Sequence, residues 1–269
     1  MRDIKGAIKN LEREFTVPMN KDFQNFEVDH MTLLLQPRLY NVAYVFFRVI
    51  FGVSPDEILY DKRKEWRKGE GEQSMTYAMR IGRGTDTAES LRNTIIAVVQ
   101  PSEPKDQSSH VREMLDSHKA ASHWQHIALR TSNLLGFHEF AVARGVNFIT
   151  PILKDDGEDL IQVFSGEWYF PGMPASGMFF EFLQRNPSDD QMQMLAERNK
   201  QAWFRDKTFL GLYGEKETEY QNNAVTPFID FELFELIEKQ IEGKKSFEIS
   251  DADLEACEQI MMKYAKNKA

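Results

Sequence analysis

The chain has 269 residues, a formal net charge of -9, 42% hydrophobic residues and 12% aromatic residues. That supplies enough apolar material for one large packed domain or two smaller ones. The acidic balance, with no basic stripe, argues against a nucleic-acid partner, because phosphate binding needs clustered Lys and Arg. A single cysteine, Cys257, excludes a disulfide scaffold and suits a reducing compartment. No apolar run approaches the length of a membrane span, and the first residues open no signal peptide. A cytoplasmic protein without a membrane partner is therefore expected.

Residues 1–25 read as an amphipathic helical lead, with Ile4, Ile8, Leu11 and Phe15 at helical spacing and Pro18 as its stop. A strand over 28–35 follows and ends at Pro37. The spacing of Val42, Val45, Phe46, Val49 and Ile50 predicts a helix over 41–51, closed by Gly52. A strand is expected over 57–60, a charged loop or hairpin over 61–73, and a weakly alternating strand over 74–81. Residues 82–86 are turn-like, and their two glycines lack the Walker spacing and its lysine. Residues 93–100 form a buried strand closed by Pro101, and 111–119 read as a helix.

The order then repeats. A strand over 124–131 leads to a helix over 134–144, and strands follow over 146–149, 160–164 and 178–185. The acidic turn at 155–158 lacks the twelve-residue calcium pattern and reads as a surface hairpin. Two units result, 26–115 and 116–188, each a strand, a helix and about three strands. Such units suit curved sheets that close around a shared cavity. Residues 189–269 differ: helices are expected over 191–205, 231–241 and 251–266, with a turn at 211–214. This extension reads as a helical flank or lid on the second unit.

Three residues concentrate the chemistry. His30 and His126 each open a short apolar strand, and Glu181 places a carboxylate inside another, where charge is costly to bury. Two histidines and one carboxylate can form a facial metal triad with open positions. Overlaying the last strands of the two units sets Glu181 opposite Ala97. The duplicated cage then offers four positions, of which Ala97 is blank. Of the other histidines, His110, His118 and His138 fall in or beside helices and read as surface residues. His123 falls on the opposite strand face from His126.

The runs at 125–129, 160–164 and 179–185, with Val28-Asp29-His30 before them, resemble the C-terminal half of the 4-hydroxyphenylpyruvate dioxygenase family in order and approximate spacing. The resemblance covers roughly residues 26–187. It implies an α+β vicinal oxygen chelate (glyoxalase-like) fold of paired βαβββ modules, and an Fe(II) held by His30, His126 and Glu181. It also implies oxidative decarboxylation and hydroxylation of a 2-oxo acid with dioxygen, the acid bearing an aromatic or bulky apolar side chain. Gln162 and Phe164 match residues that line and stack in the family's substrate pocket. Gln125 matches the residue before the second histidine. Gln100 stands where the family has an asparagine, and Tyr213 where it has the phenylalanine of a closing turn. Val111 replaces a glutamine, and the connection before residue 211 is longer than usual. Family members carry an additional N-terminal half, and this chain corresponds to the other one. Extradiol ring cleavage, metal-dependent isomerisation and a non-catalytic ligand-binding role are the alternatives on this fold, and a homodimer is left open.

Overall fold

A computed structural model describes residues 22–81, 94–155, 159–198 and 208–268. The helix expected within 1–25, the turn at 82–86 and most of the acidic turn at 155–158 lie outside the described residues. The first module runs β1 (Glu27–Leu35), α1 (Pro37–Val49), β2 (Ile58–Lys64), β3 (Gln73–Ile81) and β4 (Thr94–Val99). The connecting helix α2 (His110–Ser117) follows. The second module runs β5 (Ser122–Arg130), α3 (Leu134–Val142), β6 (Leu153–Asp155), β7 (Leu160–Glu167) and β8 (Phe179–Arg185). Four helices follow: α4 (Asp189–Arg198), α5 (Thr208–Gln221), α6 (Phe231–Gln240) and α7 (Asp251–Lys268).

The eight strands form one sheet in the order β2-β3-β4-β1-β5-β8-β7-β6. In each module the first strand pairs in parallel with the last, β1 with β4 and β5 with β8. The modules join through the antiparallel pair β1–β5. The order is therefore a near-mirror repeat about that central pair, the paired βαβββ architecture.

Period-two alternation decides which side chains meet which face. Tyr77, Met79, Val98 and Leu35 turn outward and pack with Tyr40, Ala43 and Phe47 of α1. Ile161, Val163 and Phe182 pack likewise with Leu134 and Leu135 of α3. The alternate residues of the same strands, among them Thr76, Ala78, Ala97, Gln162, Phe164 and Glu181, line a cavity on the other face. Each helix thus covers the outer face of its module, and the inner face is left for the site.

The local readings hold for most strands, but β2 runs on to Lys64 into the segment expected as a charged loop or hairpin, β6 at Leu153–Asp155 was not expected, and three further differences stand out. Helix α1 begins at Pro37, four residues earlier than the apolar spacing suggested, because proline is well suited to the first helical turn. The strand expected over 146–149 is reduced to single bridges, Val146 with Ile229 and Phe148 with Ser165. The turn expected at 211–214 is instead interior to α5. The glycines at 211 and 214 suggested a break, but tertiary contacts outweigh their modest helix penalty.

Helix α5 is fixed across the second module by a buried ion pair. Lys216 Nζ donates to Glu167 Oε1 at 2.6 Å, and their side chains are 1% and 0% exposed. Glu167 also accepts from Tyr220 Oη at 3.1 Å and from the Gly177 backbone N–H at 2.7 Å. Beside it, Gly166 lets the 224–228 segment approach: a Cβ there would lie 2.2 Å from the Pro227 carbonyl oxygen. Among the described residues no helix is long and apolar enough to cross a membrane.

Candidate metal centre

The sheet register brings His30, His126 and Glu181 together. His30 pairs with Ala128 across β1–β5, and Ala128 pairs with Glu181 across β5–β8. His126 lies two residues before Ala128 on the same strand face. The first module repeats this placement: two residues after His30, Thr32 pairs with Ala97. Ala97 is therefore the register counterpart of Glu181, and its methyl group faces the same cavity.

Candidate ligand atoms from the three residues all lie within 4.8 Å of one another. Glu181 Oε2 is 3.3 Å from His30 Nε2 and 3.4 Å from His126 Nε2. Glu181 and His126 are buried, and His30 opens partly to the cavity. The second ring nitrogen of each histidine is already engaged. His30 Nδ1 lies 3.1 Å from Asp29 Oδ1, and His126 Nδ1 lies 3.2 Å from Gln125 Oε1. An outer carboxylate or amide on Nδ1 turns Nε2 toward an ion, a recurrent device in metal sites.

The electrostatics agree. Burial pushes the Glu181 carboxyl up, but the charge on His30 and its hydrogen bond, with His126 alongside, outweigh it and hold the group down to about 2. Burial pushes His30 down, yet Glu181 and Asp29 together raise it to about 10. His126 moves the other way: burial lowers it, and Glu181 only partly offsets this. With its Nδ1–H on Gln125, His126 presents a lone pair on Nε2. The Thr32 hydroxyl donates to it at 2.9 Å. A lone pair facing an ionised carboxylate is an arrangement that a bound cation would stabilise. The set of two imidazoles, one carboxylate and an open side fits a divalent transition metal.

Asp29 holds this arrangement from outside. Its side chain is buried and accepts from Arg185 Nε and a terminal Arg185 nitrogen, both at 2.7 Å. Burial alone would raise its carboxyl, but Arg185 and His30 bring it well below the usual carboxylate range. Asp29→Asn is expected to lower metal affinity by about 10–100-fold, the usual cost of losing an outer-shell partner. Equilibrium dialysis checks this, with circular dichroism as the control for folding. Unchanged affinity would show that Asp29 only anchors Arg185.

The centre lies in a cavity of about 760 Å³. Gln162 and Phe164 line it, and so does Gln125, whose carbonyl oxygen also contacts His126. Phe164 meets the His126 and Phe179 rings edge-on. Gln100 is placed elsewhere: its amide donates to the Ser74 carbonyl at 2.7 Å, and it does not line the cavity. The Tyr213 side chain lies outside the described residues. Its neighbour Leu212 does reach the cavity from α5.

Val111 is fully buried against Leu34, Val99, Met114 and Leu115, so an apolar packing position stands where the family has an amide. His123 turns to the Ser176 carbonyl at 2.8 Å and stacks on His118. His110 departs from the surface reading. It is 1% exposed and lines the cavity, because α5 closes over it and Glu217 accepts from its backbone N–H.

Sequence reasoning missed Thr32, Thr76 and Arg80. Strand alternation from His30 reaches Thr32, and the outward Tyr77 and Met79 imply inward Thr76, Ala78 and Arg80. The Thr76 hydroxyl is buried in the cavity wall and has no hydrogen-bond partner among the described residues.

No family model matches the chain, and no curated protein matches it. Among solved structures, it is similar to a mutant of 4-hydroxymandelate synthase from Streptomyces coelicolor, at 18% identity and a TM-score of 0.43. That likeness covers 65% of this chain and 56% of the synthase chain. Methylmalonyl-CoA epimerase from Streptomyces coelicolor, in complex with 2-nitronate-propionyl-CoA, is 16% identical with a TM-score of 0.37, over 60% of this chain and 97% of that one. The epimerase from Mycobacterium tuberculosis is 17% identical with a TM-score of 0.36, over 60% and 88%. The paired βαβββ architecture stands on the strand order and registers of the chain itself.

Proposed function

We propose that this chain is a non-haem Fe(II) dioxygenase that oxidatively decarboxylates and hydroxylates a 2-oxo acid of aromatic or bulky apolar type. The observation that carries the reading is the pair of histidines whose Nε2 atoms flank one buried carboxylate at 3.3 and 3.4 Å, on the wall of a large cavity. When bound, the iron would supply the redox chemistry and the charge that holds the oxo acid and dioxygen.

The chain's own residues supply the rest. His30, His126 and Glu181 would hold the metal on one side and leave the cavity side open. Asp29 and Gln125 fix the two imidazole rings. Leu59, Ala78, Ile95, Ala97, Val99 and Phe164 make an apolar wall that accepts the substrate's body and excludes water from it. Gln162 adds an amide to that wall and can orient a polar substituent.

The test is oxygen uptake by anaerobically iron-loaded protein against phenylpyruvate, 4-hydroxyphenylpyruvate, branched aliphatic oxo acids and catechols. Uptake matched by carbon dioxide release from an oxo acid is expected. Uptake with catechols alone would move the assignment to ring cleavage. One bound iron with no uptake on any of them would contradict the reading.

A further inference from the structure

Four cationic side chains line the cavity: Lys62, Arg80, Arg130 and Arg185. Three are engaged within the protein. Arg130 pairs with Glu27 at 2.7 Å, Arg185 pairs with Asp29, and Lys62 lies over the Tyr60 ring. Arg80 has no ion pair or hydrogen bond among the described residues. It is half-buried, and the chain carries 42 acidic residues against 33 basic ones, so carboxylates are not scarce. A guanidinium withdrawn from solvent and left without an acceptor among the described residues loses hydration that none of them replaces.

The position of Arg80 is set by the sheet. Arg80 pairs with Ile95 across β3–β4, and Ile95 pairs with His30 across β1–β4. All three belong to one rung and face one cavity. Strands lie roughly 4.7–4.9 Å apart, so two strand spacings put the Arg80 backbone about 10 Å from that of His30. Between them the wall is Ala78, Ile95 and Ala97, small or apolar and without charge. The cavity therefore has a candidate metal centre at one end, an apolar middle and, at the other end, a guanidinium with no partner among the described residues.

We infer that Arg80 determines specificity by binding a carboxylate at the far end of the substrate, the near end being the 2-oxo acid held at the metal; this rests on the dioxygenase reading above. Guanidinium offers only donors, in a planar fork that fits the two oxygens of a carboxylate. The substrate class is thus an aryl or bulky apolar 2-oxo acid that carries a second, distal carboxylate.

The experiment is anaerobic calorimetric titration of the iron-loaded protein with phenylpyruvate and with 4-carboxyphenylpyruvate, in wild type, Arg80→Gln and Arg80→Lys. Wild type is expected to bind the carboxylated acid roughly tenfold or more tightly than its neutral parent, as a charge-assisted hydrogen-bonded pair allows. Arg80→Gln is expected to erase that preference while phenylpyruvate affinity, iron content and circular dichroism stay unchanged. Arg80→Lys is expected to restore part of it. Equal binding of the two acids by wild type, or an equal loss for both in Arg80→Gln, would overturn the role of Arg80 and leave the dioxygenase reading standing. Binding of neither acid to iron-loaded wild type would overturn both.

Discussion

Glu181→Ala is expected to take the protein from one bound divalent metal per chain to none under dialysis, without unfolding it. Glu181 is the one carboxylate of the three clustered groups, and both histidine Nε2 atoms converge on it. The first module already shows the variant's geometry, because Ala97 occupies the equivalent point and offers nothing to an ion. Losing a ligand itself should cost more than the roughly 10–100-fold that loss of an outer partner costs.

A thermal readout follows from mass action. Metal at a hundred times its dissociation constant stabilises the native state by about 2.7 kcal/mol, which for a chain of this size is a shift of about 5–10 °C. That shift is expected in wild type and absent in the variant. Anaerobic dialysis against Fe(II), with thermal melts in parallel, reads both quantities. A variant that retains one tightly held iron would remove Glu181 from the site.

Lys216→Met is expected to be among the most destabilising substitutions outside the site. Among the described residues it leaves the fully buried Glu167 carboxylate with only the Tyr220 hydroxyl and the Gly177 N–H as donors. Breaking one side of a buried pair costs about 3–5 kcal/mol, because the remaining charge stays in low dielectric without compensation. Glu167→Met should cost less through Lys216, since Nζ keeps Glu219 at 2.9 Å. The double variant removes both charges and should be less destabilised than the sum of the two single variants. A coupling of about 0.5–3 kcal/mol is expected for residues in contact. Urea unfolding of the four proteins measures it. A Lys216→Met protein within about 1 kcal/mol of wild type would mean that the ammonium contributes little beyond a surface pair.

Much of the architecture was legible in the sequence, for a physical reason. Strand and helix periods are local, so the runs around Met31, Ile96, Ile127 and Phe180 declared themselves as strands and repeated in the same order. The duplication then allowed His30, His126, Ala97 and Glu181 to be superposed before any coordinates, and the observed register of Ala97 and Glu181 matches that overlay. What stayed hidden depends on contacts distant in sequence. The Lys216–Glu167 pair spans 49 residues, and no local pattern marks either partner. His110 looked like a surface residue at a helix start and is buried because α5 lies over it. The glycines at 211 and 214 suggested a turn, whereas the packed neighbours of α5 keep the segment helical. Gln100 carried a pocket expectation from the resemblance, which sets it where the family has an asparagine, yet its amide meets the Ser74 carbonyl instead.

The dioxygenase reading is tested most directly by anaerobic addition of phenylpyruvate to iron-loaded protein, followed in the visible spectrum. A 2-oxo acid that chelates Fe(II) through its carboxylate and keto oxygens gives a charge-transfer band. It forms only if the metal is held on one side and open on the other. This band is expected in wild type, saturating at one equivalent of oxo acid per iron, and is expected to be absent in Glu181→Ala. One tightly bound iron per chain that gives no band with any oxo acid would contradict that reading.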